Sequence, residues 1–137
     1  MNISRQEYKR MWQQASPPTR SYQNIPIAFV VGGLICMLGE ALKQMYRYFE
    51  FSEKNSGIMT SVTLIFLSAL FTGLGLYHAL ASYAGAGTLV PITGFANSVV
   101  APAIEFKTEG FVTGLGAKIF VICGPVILYG TLASVIY

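Results

Sequence analysis

Four charged side chains stand inside or beside long apolar runs of this sequence, and they are its first candidates for chemistry: Glu40, Glu105, Glu109 and Lys118. A charge at membrane depth costs at least about 2.5 kcal/mol on insertion scales, and it usually marks a pathway or a partner of opposite charge. Glu105 and Glu109 are about one helical turn apart. A hairpin at Gly110 would bring Lys118 back toward them. We therefore predict a coupled charged cluster of these three residues at the mouth of a pathway; the alternative is that the lysine stem snorkels back to the surface.

Glu40 falls within an apolar run that is rich in small residues. Three of these share its face of the predicted helix: Gly32, Gly33 and Cys36. Membrane helices pack most closely along such small-residue faces, so we expect the Glu40 carboxylate to face protein or a cavity. The alternative places Glu40 near the helix end, where it would pair with Lys43 or Gln44 at the membrane interface.

Residues 85–110 are apolar enough for a membrane, yet two prolines, four glycines and an Asn–Ser pair interrupt them. Irregular backbone at membrane depth survives only where protein or a water-filled cavity satisfies its polar groups. We therefore predict that Thr88–Ile104 is broken or re-entrant and does not cross as a continuous, lipid-exposed helix. Its candidate backbone-breaking and polar elements are Pro91, Thr93, Gly94, Asn97, Ser98 and Pro102. Gly124 and Pro125 predict a second break, a kink in the last apolar segment.

Enzymatic and metal-binding functions find little support in the residues. The sequence contains one histidine, His78, and no aspartate, so it lacks a Ser/His/Asp arrangement. Cys36 and Cys123 both lie in apolar runs without CxxC spacing, which favours small buried hydrophobic residues over metal ligands. His78 also lies in an apolar run, where a buried or interfacial histidine is the default interpretation. We expect no catalytic residue, no metal and no cofactor.

The amino-acid composition indicates the class of protein in which these charged side chains lie. Hydrophobic residues make up 53% of the 137 residues and charged residues only 11%. Asn55 to Ile104 carries no acidic residue, lysine or arginine, and fifty such residues exceed the roughly 20 that one spanning helix needs. The sequence therefore predicts an all-α integral membrane protein. Its net charge of +3 lies largely in the N-terminal tail and favours membrane lipid over nucleic acid as a partner.

The chain divides into a polar tail, residues 1–24, and a membrane domain, residues 25–137. Within the tail, one helical face would carry Tyr8, Met11 and Trp12, and another would carry Arg5 and Lys9. This pattern is typical of a short interfacial helix, which Pro17–Pro18 would end.

Four apolar segments follow the tail: Ile25–Met45, Ile58–Ala84, Thr88–Ile104 and Gly110–Tyr137. The third would reach only about 25 Å as a helix, which is short for a core of about 30 Å. Three or four transmembrane helices are therefore expected. With three, the C-terminus lies on the side opposite to the N-terminus, which the basic residues of the tail mildly place in the cytoplasm.

Several blocks of the sequence resemble the SpoVAC/SpoVAEB family of spore membrane proteins. The most specific is AGAGTLVPITGFANSVVAPAIEFKTEG (84–110), followed by TGLGAKIF (113–120) and GPVILYG (124–130); VVGGLIC (30–36) fits near the start. The resemblance implies passage of dipicolinic acid, with Ca²⁺, across the inner membrane of the forespore and spore, during uptake in sporulation and release in germination. It also implies action with the paralogous membrane subunit SpoVAEb and the more soluble subunit SpoVAD, and an association with mechanosensitive channel behaviour.

The residues and the resemblance together predict a conduit in which Thr93, Asn97 and Ser98 supply weak polar contacts. Glu105, Glu109 and Lys118 would then form a charged checkpoint. The alternative is a non-conducting assembly subunit, whose broken helices only interlock with partners; the Gly110–Gly114 spacing suits such helix packing.

Overall fold

In a computed structural model, the chain is described at Ser4, Arg5, Glu7, Tyr8, Met11 and residues 20–137. These residues form helices and turns and no strand, which confirms the all-α fold class. The helices are α1 (Ser21–Tyr48), α2 (Glu53–Gly73), α3 (Leu76–Ala84), α4 (Ala86–Leu89), α5 (Ile92–Glu105) and α6 (Ala117–Ile136). A 3-10 turn (Lys107–Glu109) and a π-helical turn (Phe111–Gly116) connect α5 to α6.

Three helical segments in the described part are long and apolar enough to cross a membrane: Ser21–Tyr48, Glu53–Gly73 and Phe111–Ile136. The residues between the second and the third, 74–110, contain only shorter helices. The longest of these, α5, has 14 residues and reaches about 21 Å, less than the hydrocarbon core. With three crossings, the start of α1 and the end of α6 lie on opposite sides of the membrane.

The predicted second span, Ile58–Ala84, is wrong as a single helix, because the structure breaks it after Gly73. The Leu74 N–H still donates to the Leu70 carbonyl, but the Gly75 N–H donates to Thr72, and Gly75 has a φ of +74°. This left-handed conformation ends a helix and costs glycine little, since glycine has no Cβ. Continuous hydropathy across 58–84 did not reveal the break.

The predicted break in Thr88–Ile104 is present, at Pro91. Pro91 has an extended backbone (φ −64°, ψ 163°) and separates α4 from α5. Val90 is still helical, so the helix ends because Pro91 lacks an N–H and its own backbone is extended. Gly94 and Pro102, which were also expected to break the segment, lie inside α5 instead. Pro125, together with Gly124, likewise lies inside α6 without ending it.

Two hydrogen bonds show how α5 runs relative to α2. Ser68 Oγ donates to the Thr93 carbonyl, and Thr72 Oγ1 donates to Asn97 Oδ1. The two partners are 25 residues apart in sequence in both pairs, so a step of four residues along α2 corresponds to a step of four residues along α5. The two helices therefore point in the same direction. The chain between them must therefore return part of the way through the membrane, within α3 and α4. Residues 74–105 form this element, which we call the re-entrant segment.

Glycines allow the re-entrant segment to pack against its neighbours. A Cβ atom at Gly94 would collide with the carbonyl oxygens of Thr88 and Leu89, so the turn between α4 and α5 needs a residue without a side chain. A Cβ at Gly87 would lie 2.9 Å from Ala28 Cα, which brings α4 against the backbone of α1. Close approach of backbones at small residues is a common way for membrane helices to pack.

The described part of the polar tail is helical at Arg5, Glu7, Tyr8 and Met11, and the last two side chains are exposed. The Ser4 N–H donates to the Glu7 carboxylate over 3.0 Å, and this bond holds the pKa of that carboxyl below its usual value. The Glu7 N–H donates back to Ser4 Oγ, which completes a capping box. The ionised Glu7 carboxylate therefore stabilises this turn fully above the usual pKa of a glutamate. The stabilisation is lost as the pH falls through the lowered pKa of Glu7. Trp12, Lys9 and Pro17–Pro18 lie outside the described residues.

We predict that Gly87→Ala destabilises the protein while Gly33→Ala does not. The new methyl group at Gly87 meets the α1 backbone, and overpacking of this kind costs about 1–3 kcal/mol. At Gly33, which lies in α1, no atom comes within 4 Å of the place that a methyl group would take, so alanine there should be neutral or slightly stabilising. Thermal unfolding of the two purified variants in the same detergent measures the difference. Equal melting temperatures for both would contradict the close α1–α4 contact.

Candidate functional site

A buried polar network holds the re-entrant segment in place, and Tyr77 lies at its centre. The Tyr77 side chain is only 4% exposed. Its hydroxyl donates to the Thr88 carbonyl over 2.8 Å and lies 3.3 Å from Thr93 Oγ1. Thr88 is itself fully buried, and its hydroxyl donates to the Gly85 carbonyl. The network thus satisfies backbone groups at the break between α4 and α5.

Helix α2 supplies the other side of the network through two hydroxyl groups. Ser68 Oγ donates to the Thr93 carbonyl over 2.6 Å, and Ser68 is 1% exposed. One turn further along α2, Thr72 Oγ1 donates to Asn97 Oδ1 over 2.8 Å. That bond leaves the amide nitrogen of Asn97 as a donor for other groups.

Sequence reasoning missed Ser68, Thr72 and Tyr77, although the sequence contains a signal for the first two. Residues spaced by four along α2 form one face of the helix: Ser56, Thr60, Leu64, Ser68 and Thr72. Every member of this face is buried or half-buried. A row of small hydroxyl residues at helical spacing in an apolar segment is typical of a membrane helix interface, with hydroxyls available for bonds across it.

A cleft of about 240 Å³, lined by both polar and apolar residues, lies between α2, α3 and α5. Its polar lining consists of Thr72, His78, Asn97 and Glu105, and the rest is Ala81, Ala101 and Ile104. From Glu105 to Asn97 the cleft follows eight residues of α5, or about 12 Å. Its inner end is the Thr72–Asn97 hydrogen bond, one turn before the Ser68–Thr93 bond of the buried network. The cleft therefore leads from the end of α5 into the membrane domain and stops at the network.

His78 is exposed, and it contributes to the cleft from α3. The backbone carbonyl of His78 accepts a bond from Ser82 Oγ, whereas among the described residues its imidazole has no hydrogen-bond partner. The sequence-based default of a buried or interfacial histidine did not anticipate that it would share a cleft with Glu105.

The three predicted polar contacts of the segment occupy different places. Asn97 lines the cleft. Thr93 is 7% exposed and belongs to the buried network, so its hydroxyl is already engaged. Ser98 donates to the Phe95 carbonyl of its own helix and is not part of the cleft lining. The structure thus brings one of the three to a surface that a ligand can reach.

The predicted hairpin at Gly110 does return Lys118 toward the end of α5, and Gly110 has a φ of +105°. The contact that Lys118 makes is with an aromatic ring: its Nζ lies 4.5 Å from the ring centroid of Phe106. Glu105 lines the cleft and Glu109 is exposed, with its carbonyl accepting a bond from Thr113 Oγ1. The three charges therefore lie around one hairpin, but the structure stabilises Lys118 by a cation–π interaction instead of a glutamate.

Among the described residues, no other helix of this chain covers Glu40. It is exposed, and its carboxylate accepts a bond from Gln44 Nε2 over 3.2 Å, which is the alternative considered above. Gly32 packs near Gly87 of the re-entrant segment, while Gly33 and Cys36 are more exposed and line an apolar groove together with Val90 and Pro91. Whether a partner covers Glu40 stays a prediction.

Within the described residues, no three His, Cys, Asp or Glu side chains lie close enough together to hold a metal ion. The chemistry that the cleft offers is that of hydrogen bonds, one carboxylate and one imidazole.

Comparison with known proteins identifies relatives of this chain. The family model described as SpoVAC/SpoVAEB sporulation membrane protein matches residues 24–137. The chain is also 43% identical over 137 residues to the stage V sporulation protein AC of Bacillus subtilis (strain 168). The alignment covers 99% of this chain and 91% of the relative. No solved structure matches the chain.

We predict that Tyr77→Phe lowers stability more than Tyr83→Phe. Without the Tyr77 hydroxyl, the buried Thr88 carbonyl loses its donor, and an unsatisfied buried group costs about 1–3 kcal/mol. Tyr83 is 72% exposed on the same helix and serves as the matched control. Hydrogen exchange of the backbone amides of residues 85–95 measures the effect locally: faster exchange in Tyr77→Phe alone is expected. Unchanged exchange and melting temperature in Tyr77→Phe would contradict the role of the network.

Proposed function

The chain belongs to the SpoVAC/SpoVAEB sporulation membrane protein family, and we propose that it is a conduit subunit for dipicolinic acid, with Ca²⁺, in the spore inner membrane. In this proposal it serves uptake by the forespore during sporulation and release at germination. Its partners are the paralogous membrane subunit SpoVAEb and the soluble subunit SpoVAD.

The observation that carries this proposal is the cleft that enters the membrane domain and stops at the buried network. A polar cleft beside a re-entrant segment is the arrangement in which broken helices line a ligand pathway. The cleft offers Thr72, Asn97 and Glu105 to a ligand, and the Ser68–Thr93 bond lies just beyond its inner end. We propose that the re-entrant segment is the plug of the pathway.

The polar groups of the cleft suit a calcium dicarboxylate that has to pass without being trapped. Dipicolinate carries two carboxylates, which accept hydrogen bonds from a group such as the Asn97 amide; the Thr72 hydroxyl donates to Asn97 and holds that side chain in place. Ca²⁺ prefers oxygen ligands, and Glu105 supplies one carboxylate at the outer end of the cleft. One carboxylate is far from the six to eight oxygens of a tight calcium site, so contact with the cation would be brief.

The gate of the proposed conduit is the network around Tyr77. Helices α3 and α4 have only nine and four residues, and they are held by a small number of side-chain bonds. Such short elements can open at lower cost than a spanning helix, because few bonds have to break together. Membrane tension that separates α2 from α5 would strain the Ser68–Thr93 and Thr72–Asn97 bonds first, which supports mechanosensitive opening.

A second candidate function is that of a non-conducting assembly subunit. The apolar surface of α6 is exposed, including Val121, Ile122 and Tyr129, and in a membrane either lipid or a partner subunit covers such a surface. The Gly110–Gly114 motif no longer supports this candidate, since Gly114 packs within the chain, where a Cβ would lie 2.6 Å from the Phe106 carbonyl oxygen.

Flux through liposomes distinguishes the two functions. The purified chain, alone and with the paralogous subunit, should release entrapped calcium dipicolinate faster than empty liposomes do, under applied tension or osmotic shock. At a tension that keeps the conduit open, Asn97→Leu should lower this flux roughly tenfold, because it removes a ligand contact worth about 1.5 kcal/mol. The Thr72–Asn97 bond, which the same variant removes, belongs to the closed state. Ser98→Ala is the control, since its hydroxyl bonds only within α5. Flux at the empty-liposome level in both preparations would favour the assembly subunit.

Removal of Lys118 should impair dipicolinate accumulation in spores more than removal of Lys107. Lys118 is half-buried against Phe106, and a partly desolvated cation–π contact is worth about 1–2 kcal/mol, whereas Lys107 is exposed. The dipicolinate content of spores carrying Lys118→Ala or Lys107→Ala is compared at equal membrane levels of the protein. Phe106→Leu should reproduce the Lys118→Ala defect. Equal content in both lysine variants would reject a role for Lys118 at the mouth of the pathway.

A further inference from the structure

The cleft contains one side chain to which the proposed function assigns no role, His78. It projects from α3 opposite α5, and its imidazole has no hydrogen-bond partner among the described residues. It is also the single basic group of the uncharged stretch from Asn55 to Ile104. An imidazole is the side chain that can be neutral or cationic within the physiological pH range.

We propose that His78 is the proton-dependent contact of the cleft for a carboxylate ligand. When its imidazole is protonated, both ring nitrogens donate, and a carboxylate between His78 and the Asn97 amide receives charge-assisted hydrogen bonds. When the imidazole is neutral, the charge left in the cleft is the Glu105 carboxylate, which repels an anion. The cleft would therefore hold a free dicarboxylate more tightly at lower pH.

The charged surroundings of His78 are few, and they allow a clear expectation. From α5, Glu105 is the titratable group of the cleft lining, and Asn97 is neutral. From α2 the lining is Thr72, and from α3 it is Ala81, beside His78 itself. Helices α1 and α4 also pack against α3, and neither contributes a residue to the lining. Among the residues that line the cleft, His78 and Glu105 are the two that can carry a charge, while Lys107, Glu109 and Lys118 lie at the hairpin beyond its outer end.

The opposite charges of His78 and Glu105 predict that the calcium complex and the free dicarboxylate bind the cleft differently. A free dicarboxylate is attracted by protonated His78 and repelled by Glu105. A calcium dicarboxylate is close to neutral, so its attraction to the cleft should depend less on the charge of His78. The inference rests on the proposed function, because it takes dipicolinate as the ligand. It adds that the affinity of the cleft for this ligand changes with pH.

The single histidine of the chain makes a direct test possible, because one imidazole signal in the NMR spectrum belongs to His78. The full chain in nanodiscs is titrated from pH 8 to pH 5 with and without calcium-free dipicolinate. We expect the midpoint of the imidazole titration to move upward by about one unit in the presence of ligand, the reciprocal of roughly tenfold tighter binding to the protonated form. An imidazole titration that dipicolinate leaves unchanged would overturn the proposal.

Variants separate this role from a pairing of His78 with Glu105. Dipicolinate binding, measured by calorimetry at pH 6 and pH 8, should be roughly tenfold tighter at pH 6 for the natural chain. His78→Gln should remove this difference, whereas Glu105→Gln should strengthen binding at pH 8 and keep part of the dependence. If Glu105→Gln instead abolished the pH dependence, the proton would serve an ion pair within the protein, and the proposal would be wrong.

Flux and binding also distinguish the failure of this inference from the failure of the proposed function. Dipicolinate flux without any response of the imidazole signal leaves the conduit in place and rejects the role of His78. A ligand-dependent imidazole titration without flux, in the chain alone and with the paralogous subunit, supports the carboxylate contact and rejects the conduit. Acetate at the same ionic strength serves as the control ligand, and it should shift the midpoint less, because it has one carboxylate.

Discussion

Backbone polar groups in a membrane must find partners within the protein, and this constraint shapes the whole molecule. The three long helices satisfy it internally. The re-entrant segment cannot, because Gly75, Gly85 and Pro91 interrupt its helices. Hydroxyl groups from α2 and α3 bond the backbone on both sides of the break: Tyr77 donates to the Thr88 carbonyl at the end of α4, and Ser68 adds a bond to the Thr93 carbonyl at the start of α5. The break can exist at membrane depth because these side chains stand opposite it.

Close packing of the helices is the second requirement, because the side-chain hydrogen bonds of the buried network form only if the helices that they join lie close together. Three glycines of the re-entrant segment and of the hairpin after it lie at points of closest approach: Gly87 against α1, Gly94 against the end of α4, and Gly114 against the Phe106 carbonyl. These positions tolerate no Cβ without movement of neighbouring backbone. Other glycines, such as Gly57 and Gly130, have open space around them. Glycine content alone therefore says little about packing, whereas the position of each glycine says much.

The same arrangement that closes the domain also creates its polar cleft. Because α5 runs parallel to α2 and begins midway through the membrane, its far end extends beyond the buried network, where space remains that Thr72, Asn97 and Glu105 line. One turn of helix separates this accessible space from the buried bonds around Thr93. In the proposed conduit, the pathway and its closure would share neighbouring residues, so a small separation of α2 from α5 would act on both.

Residue types and their order were enough to predict the membrane class, the all-α fold, the break at Pro91 and the return of Lys118 at Gly110. These follow from hydropathy, from the missing proline N–H and from the freedom of glycine, which are properties of a residue and its near neighbours. Four further features are visible only in the folded chain: the break at Gly75, the exposure of Glu40, the ring of Phe106 as the partner of Lys118 and the separation of Thr93 from Asn97. Each depends on which helix comes to lie opposite a given side chain. That choice follows from the parallel course of α2 and α5, and no local pattern in the sequence specifies it.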